Sequence, residues 1–305
     1  MDRATTNARA GASTRRFAPP VVWLARLAWL LVAVLGGSAV EAAVDERSAA
    51  IRWVVAIGGW TVWGIVALAL AIPAVRSLTV VRVVAPLAIA AGIAIAVAGV
   101  PATDLVLFGL PTFVAVAAVF TPELGIAYSQ ASAYGDEHRF PLRAPAATGA
   151  VAIVLWLAWA PLALAGPLLL AARMWLVGGL VSAAAIAGAV FLLPRWNRLA
   201  QRWLVLVPAG LVVRDPLVLG ETLMLRTSEI QTISLARADT GAADLTGPAS
   251  GYAVEVSTGA TVTAVFAGSP STPEGRAVHL TAFLVAPSRP GRALDVARQR
   301  GLPVV

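Results

Sequence analysis

Asp136, Glu137 and His138 stand side by side in the stretch YGDEHRFPLRAP, where two acids meet one of the chain's two histidines. A histidine beside carboxylates can act as a general base or supply half of a metal site. Adjacent side chains rarely converge on one point, however, and the second histidine, His279, lies in a distant strand-like run where it reads as a surface residue. The stretch therefore reads first as a solvated loop whose Arg139 and Arg143 meet anionic lipid. Asp136, Glu137 and His138 are its candidate catalytic residues, should the chain be an enzyme acting on lipid. What is missing narrows the chemistry further. The absence of Cys excludes a thiol nucleophile, a disulfide and thiolate metal ligation. All 23 basic residues are Arg, so neither a Schiff-base lysine nor a glycine-rich phosphate loop ending in Lys is possible. No cofactor and no metal are expected.

A second cluster lies in PRWNRLAQRWLVLVPAG, residues 194–210. At helical spacing Arg195, Arg198 and Arg202 fall at i, i+3 and i+7 and share a face. Trp196, Leu199 and Trp203 repeat that spacing on the neighbouring face. An arginine face beside a Trp/Leu face suits the membrane–water boundary. The spacing predicts an amphipathic interfacial junction over 195–202, at which Arg195, Arg198, Arg202, Trp196 and Trp203 meet anionic membrane lipid.

Two regions of different character must position these clusters. The chain of 305 residues is 59% hydrophobic and only 13% charged, about half the usual globular share of ~25%. That composition belongs to a membrane protein, and the net charge of +7 calls for no nucleic-acid partner. Residues 1–18 read as a disordered basic cytoplasmic tail carrying Arg3, Arg9, Arg15 and Arg16. Apolar runs at about 20–40, 51–73, 78–100, 105–120, 146–166 and 174–193 predict a six-helix transmembrane domain over 19–194. The first run, with small residues near Ala42, also resembles a secretory leader, but its apolar length and the spans that follow favour retention. Stripes of small residues at Ala88, Gly92 and Ala96, and at Gly179, Ala183 and Ala187, offer close helix packing. Trp53, Trp60 and Trp63 share one arc of the second span, a packing or lipid surface, with a ligand cage as the alternative. With the N-terminus inside, twelve arginines flank the inner face and three, Arg47, Arg52 and Arg173, the outer one. The positive-inside rule then puts both termini in the cytoplasm and the chain in the cytoplasmic (inner) membrane.

After residue 203 the pattern changes to short alternating runs. Seven strands are predicted, including a hairpin turning at Thr258-Gly259, followed by a helix capped by Ser288 with Pro290 in its first turn. Leu294 and Ala297 give that helix a narrow apolar stripe. These 203–305 residues are expected to fold alone as a cytoplasmic, mainly β domain. The stretches LVPAGLVVRD, LRTSEIQTISL and FLVAPSRPGRALDVARQRG resemble those of bacterial pleckstrin-homology-like domains. With YGDEHRFPLRAP and RWLVLVPAG, the whole chain resembles an actinobacterial group of multi-pass membrane proteins of unknown function that carry such a domain at the C-terminus. The resemblance implies a fold and hints at contact with lipid or other membrane proteins. It implies no catalytic residue. The function expected is a non-catalytic scaffold or regulator of an envelope assembly. A transporter or transporter subunit is the alternative, and a membrane enzyme acting on lipid through the 121–145 loop is the second alternative.

Overall fold

Long apolar runs leave backbone groups without water to bond, so each must satisfy itself within a helix. In the computed structural model, which describes residues 19–268 and 274–305, the first run forms α1 (Pro20–Leu35) and α2 (Gly37–Val44), bent by 42° where they meet. The expected tail over 1–18 lies outside the described residues. Gly36 fits the bend because a Cβ there would lie 2.6 Å from the Val32 carbonyl and 2.7 Å from the Phe108 ring. The second run is α3 (Ala49–Ala71), whose Ser48 cap accepts from the Ile51 N–H. The third is split at Ala85-Pro86 into α4 (Val75–Val84) and α5 (Leu87–Val97), since a proline removes a helical donor and clashes with the preceding turn. Then follow α6 (Ala102–Val119), α7 (Pro122–Ala131), the strand β1 (His138–Pro141), α8 (Ala146–Ala171) and α9 (Trp175–Ala200). Among the described residues, five spans are long and apolar enough to cross a membrane, or six if α1 and α2 together make one.

Two expectations need correction here. The sixth apolar run does not stop at 193: α9 carries Pro194 inside it and continues to Ala200. The 195–202 junction is thus the end of a long helix, and Arg202 lies beyond it. The helix contact between α8 and α9 is also offset by one residue from the predicted stripe. Gly179, Ala183 and Ala187 are exposed, whereas a Cβ at Gly178 would lie 2.7 Å from the Leu170 backbone nitrogen and one at Gly188 2.7 Å from Trp159. In a segment apolar all round, hydrophobic periodicity does not fix which face meets the neighbour.

The C-terminal part forms two four-stranded sheets. In the first, β1 pairs with β2 (Trp203–Val207), then β3 (Gly210–Arg214), then β4 (Leu223–Arg226), all antiparallel. The second contains β5 (Ile230–Leu235), β6 (Ala243–Asp244), β7 (Val254–Phe266) and β8 (Arg276–Val285) in the order β5-β7-β8-β6, with β6 parallel to β8. Alternation delivers the core: Leu204, Leu206, Leu211 and Val213 of one sheet meet Val254, Val256, Phe283 and Val285 of the other. The final helix α10 (Pro290–Gln299) closes the core with Ala293, Leu294 and Ala297. The stripe at Leu294 and Ala297 is therefore seen. The hairpin at Thr258-Gly259 is not. There the chain runs on as one strand with a register shift, and the Thr258 hydroxyl donates to the Ala260 and Thr281 carbonyls. Ser288 is not the cap either. Arg289 occupies that position, and the Ser288 Oγ is buried without a hydrogen bond.

The largest departure concerns residues 121–145, expected as a polar loop. They hold α7 and β1, and both tie the helical and sheet regions together. On α7, Leu124 and Tyr128 are one turn apart and enter the helical core, while Ile126, on the opposite side, enters the sheet core. The Tyr128 hydroxyl donates to the Ala69 and Leu70 carbonyls at the end of α3 (3.2 and 3.3 Å), and burial pushes its pKa up to about 12. Strand β1 pairs His138 with Leu206 and Pro141 with Trp203. The chain beyond it crosses to the second sheet region, where the Arg143 N–H donates to the Ala286 carbonyl and the Ser288 N–H to that of Pro141.

Candidate functional site

Asp136, Glu137, His138, Arg202 and Trp203 lie along the seam between helices and sheets, in roles other than those expected, while Arg195, Trp196 and Arg198 stay on α9. Arg202 is the clearest case. It stands just before β2, its side chain is 0% exposed, and its guanidinium makes a two-pronged bridge to Asp215, with Nε to Oδ1 at 2.7 Å and Nη2 to Oδ2 at 2.6 Å. It also donates to the Arg143 carbonyl at 2.5 Å and the Thr246 carbonyl at 3.2 Å. Asp215 in turn accepts from the Leu217 N–H. Arg202 is thus a buried cross-link among β2, β3, the segment after β1 and the loop after β6, and it does not face lipid. The planar fork of Arg suits this work. Asp215 was missed by sequence reasoning, yet a signal existed. The turn between β2 and β3 pairs Trp203 with Arg214, so one step outward Arg202 faces Asp215.

Trp196 and Trp203 are likewise buried. Trp196 packs edge-on against Trp159, with Val83 and Leu192 around it. The Trp203 indole donates to the Ala200 carbonyl, and the guanidinium groups of Arg139 and Arg214 lie 5.0 and 5.5 Å from its ring centre. Of the five predicted interface residues, Arg195 and Arg198 remain exposed. Arg195 reaches back to the Phe191 carbonyl at 2.6 Å.

Asp136, Glu137 and His138 converge on arginines rather than on each other. Arg300 donates through Nη2 to the Asp136 carboxylate and carbonyl (2.8 and 2.9 Å) and to His138 Nδ1 (2.8 Å). An arginine only donates, so this nitrogen carries no proton and its lone pair is engaged. Glu137 Oε1 accepts from the Tyr134 N–H at 2.6 Å and from Arg139 at 2.9 and 2.5 Å. Gln130 of α7 holds both ends of this turn, donating to the Glu137 carbonyl and accepting from the Arg139 N–H. Nearby, Arg289 pairs with Glu123 at the start of α7. The hydrogen bond from its own backbone N–H and the Arg289 partner hold the Glu123 carboxyl below the usual range. Arg143, whose pKa burial lowers, donates to the Tyr252 carbonyl. The Arg289–Glu123 pair and the Arg300 contacts with Asp136 and His138 fasten α7 and β1 to the two ends of α10.

Beside them a cavity of about 360 Å³ opens between α7, β1 and α10, with Gln130, His138, Arg139 and Arg292 in its polar wall and Ile126 and Val296 in its apolar one. Among the described residues no three His, Cys, Asp or Glu side chains come together as a metal site. Chemically the region is an arginine-rich lock: its acids are spent on ion pairs. Compared with known proteins, the chain matches no family model, no curated protein and no solved structure.

Proposed function

We propose that this protein is a six-span membrane scaffold that presents a pleckstrin-homology-like β domain on the cytoplasmic face, where it regulates an envelope assembly by binding other membrane proteins. The observation that carries the reading is β1: a loop between two spans contributes the edge strand of the sheet. A domain stitched to its spans in this way keeps a fixed height and orientation above the bilayer. That suits a platform, and it leaves little freedom for a tethered catalytic module. Two sheets closed by a C-terminal helix support the pleckstrin-homology-like assignment. On the β side α1 carries Arg26, α4 carries Arg76 and Arg82, and the end of α9 carries Arg195 and Arg198, which supports a cytoplasmic orientation. Anionic lipid contact is assigned to Arg195 and Arg198 alone.

The chain has no Cys, so a single Met224→Cys variant carries one reactive thiol. Met224 lies on the edge strand β4 and is 68% exposed. A membrane-impermeant maleimide should label it in inside-out vesicles and not in intact cells. A thiol-anchored crosslinker at that position, used in native membranes, should give a discrete adduct with a different membrane protein. Labelling of intact cells would reverse the orientation, and the absence of any heteromeric adduct would remove the scaffold reading.

A further inference from the structure

The bend between α1 and α2 has a consequence on the side of the helical region away from the β unit. There α2 and the first half of α3 stand apart, and a second cavity of about 360 Å³ lies between them. That size falls within the ~300–1,000 Å³ typical of small-molecule sites. Its surface is almost entirely apolar: glycines at 36, 37 and 59 line it, Trp60 and Trp63 stand on one side, and Phe108 lies at the base. Trp63 is fixed there, because its indole donates to the Trp29 carbonyl and the Trp29 indole donates to that of Trp63, both at 3.0 Å. Two charges break the apolar lining, Glu41 of α2 and Arg52 of α3. Neither forms an ion pair or side-chain hydrogen bond among the described residues.

The dimensions select the occupant. Arg52 and Trp63 are eleven residues apart on one helix, about 16 Å along its axis. The hydrocarbon core is about 30 Å thick, so one leaflet is about 15 Å deep. The cleft thus runs from a charged mouth to the bilayer midplane, the reach of one acyl chain. An acid and an arginine on opposite walls of the mouth match a headgroup that carries both an ammonium and a phosphate. We propose that the cleft binds one phospholipid from the leaflet opposite the β unit. One chain lies along Gly59 and Trp60, the phosphate sits on Arg52 and a primary ammonium sits on Glu41. The assignment rests on the chain spanning a membrane and is independent of the scaffold reading.

Lipid retained by the full-length protein after purification in mild detergent tests this directly. Native mass spectrometry of the protein, compared with the bulk membrane lipid, should find one phosphatidylethanolamine per chain, enriched about tenfold over phosphatidylglycerol. A Cβ at Gly59 meets nothing within 4 Å, so Gly59→Leu starts from open space on the cleft wall. It should lower retention about tenfold. Glu41→Gln should keep the lipid and lose the preference for the amine headgroup. Arg52→Gln should lower retention about as much as Gly59→Leu, and it decides the matter should the leucine variant fail to fold. Retention unchanged in Gly59→Leu or in Arg52→Gln means annular lipid only and overturns the site. Bound lipid of bulk composition in the native protein does the same, and an acylated protein in place of a phospholipid overturns the assignment of occupant.

Discussion

A guanidinium with no exposed surface is held here by a carboxylate and two carbonyls, and that arrangement sets the cost of losing it. Removing one partner of a buried ion pair leaves the other charged and unsatisfied, typically at about 3–5 kcal/mol. Arg202→Gln is therefore expected to destabilise the β unit by about that amount, read as a lower thermal midpoint and faster proteolysis of the full chain in detergent. Replacing both partners by apolar groups of similar size, Arg202→Met with Asp215→Leu, should recover most of the loss. If Arg202→Gln melts like the native protein, the buried bridge contributes nothing. Glu123 makes a different kind of prediction. Its carboxyl titrates lower in the folded chain than in the unfolded one, first through its own backbone N–H and then through Arg289. Its stabilising contribution is thus present above the unfolded value of about 4.3 and is lost as pH falls through the lower folded value. Hydrogen exchange of α7 should rise over that acid range, and Glu123→Gln should flatten the dependence. An unchanged profile in the variant would assign the acid response to another group.

At the scale of the helices, close approach is decided by single positions. Gly178 and Gly179 are neighbours in sequence, but only the first faces α8. Gly178→Ala would drive a methyl to 2.7 Å from the Leu170 backbone nitrogen and 3.0 Å from the Leu169 carbonyl carbon, where nothing flexible can yield. A cost of about 1–3 kcal/mol is expected, the usual range for overpacking. Gly179→Ala meets open space and should be neutral or slightly favourable, because Ala has the better helix propensity. Thermal unfolding of the two variants side by side checks the phase of the α8–α9 contact. Equal stability of the pair would mean that the helices meet on another face.

The helices and sheets are two regions by composition but are joined as one body. Strand β1 covers the outer edge of β2, Phe140 and Leu142 fill the sheet core, and the segment beyond supplies the carbonyl of residue 143 to Arg202. A fragment beginning at 203 leaves that edge unpaired and the core short of two large side chains. An open, apolar strand edge is an invitation to aggregate. The 203–305 fragment alone should therefore be poorly soluble or loosely folded. The same fragment with residues 134–145 joined through a flexible linker should show a cooperative thermal transition by circular dichroism. A sharp transition in the short fragment would mean that β1 is an accessory and not part of the fold.

Local patterns fixed much of this before any tertiary contact was considered. Apolar runs located the helices because a backbone in lipid has no alternative, a short apolar run located β2, which is buried on both faces, and short runs between turn residues located β3, β4, β5 and β8. Asp136, Glu137 and His138 were recognisable as a cluster, and Pro290 marked the start of α10. What composition left open was every question of phase and partner. Uniformly apolar helices carry no sign of which side meets a neighbour, so the Gly178 face could not be told from the Gly179 face. Arginine spacing gave Arg195, Arg198 and Arg202 a common side only while they shared a helix, and the helix ends at Ala200. Strand β1 is four residues long and ends in proline, too short for alternation to declare it. Its identity comes from β2, whose unpaired edge it satisfies from more than sixty residues away in the chain. Whether a charge faces lipid or the core was likewise a property of the assembled molecule: Asp215 waited on the β2–β3 register, and burial followed from what closed over the pair.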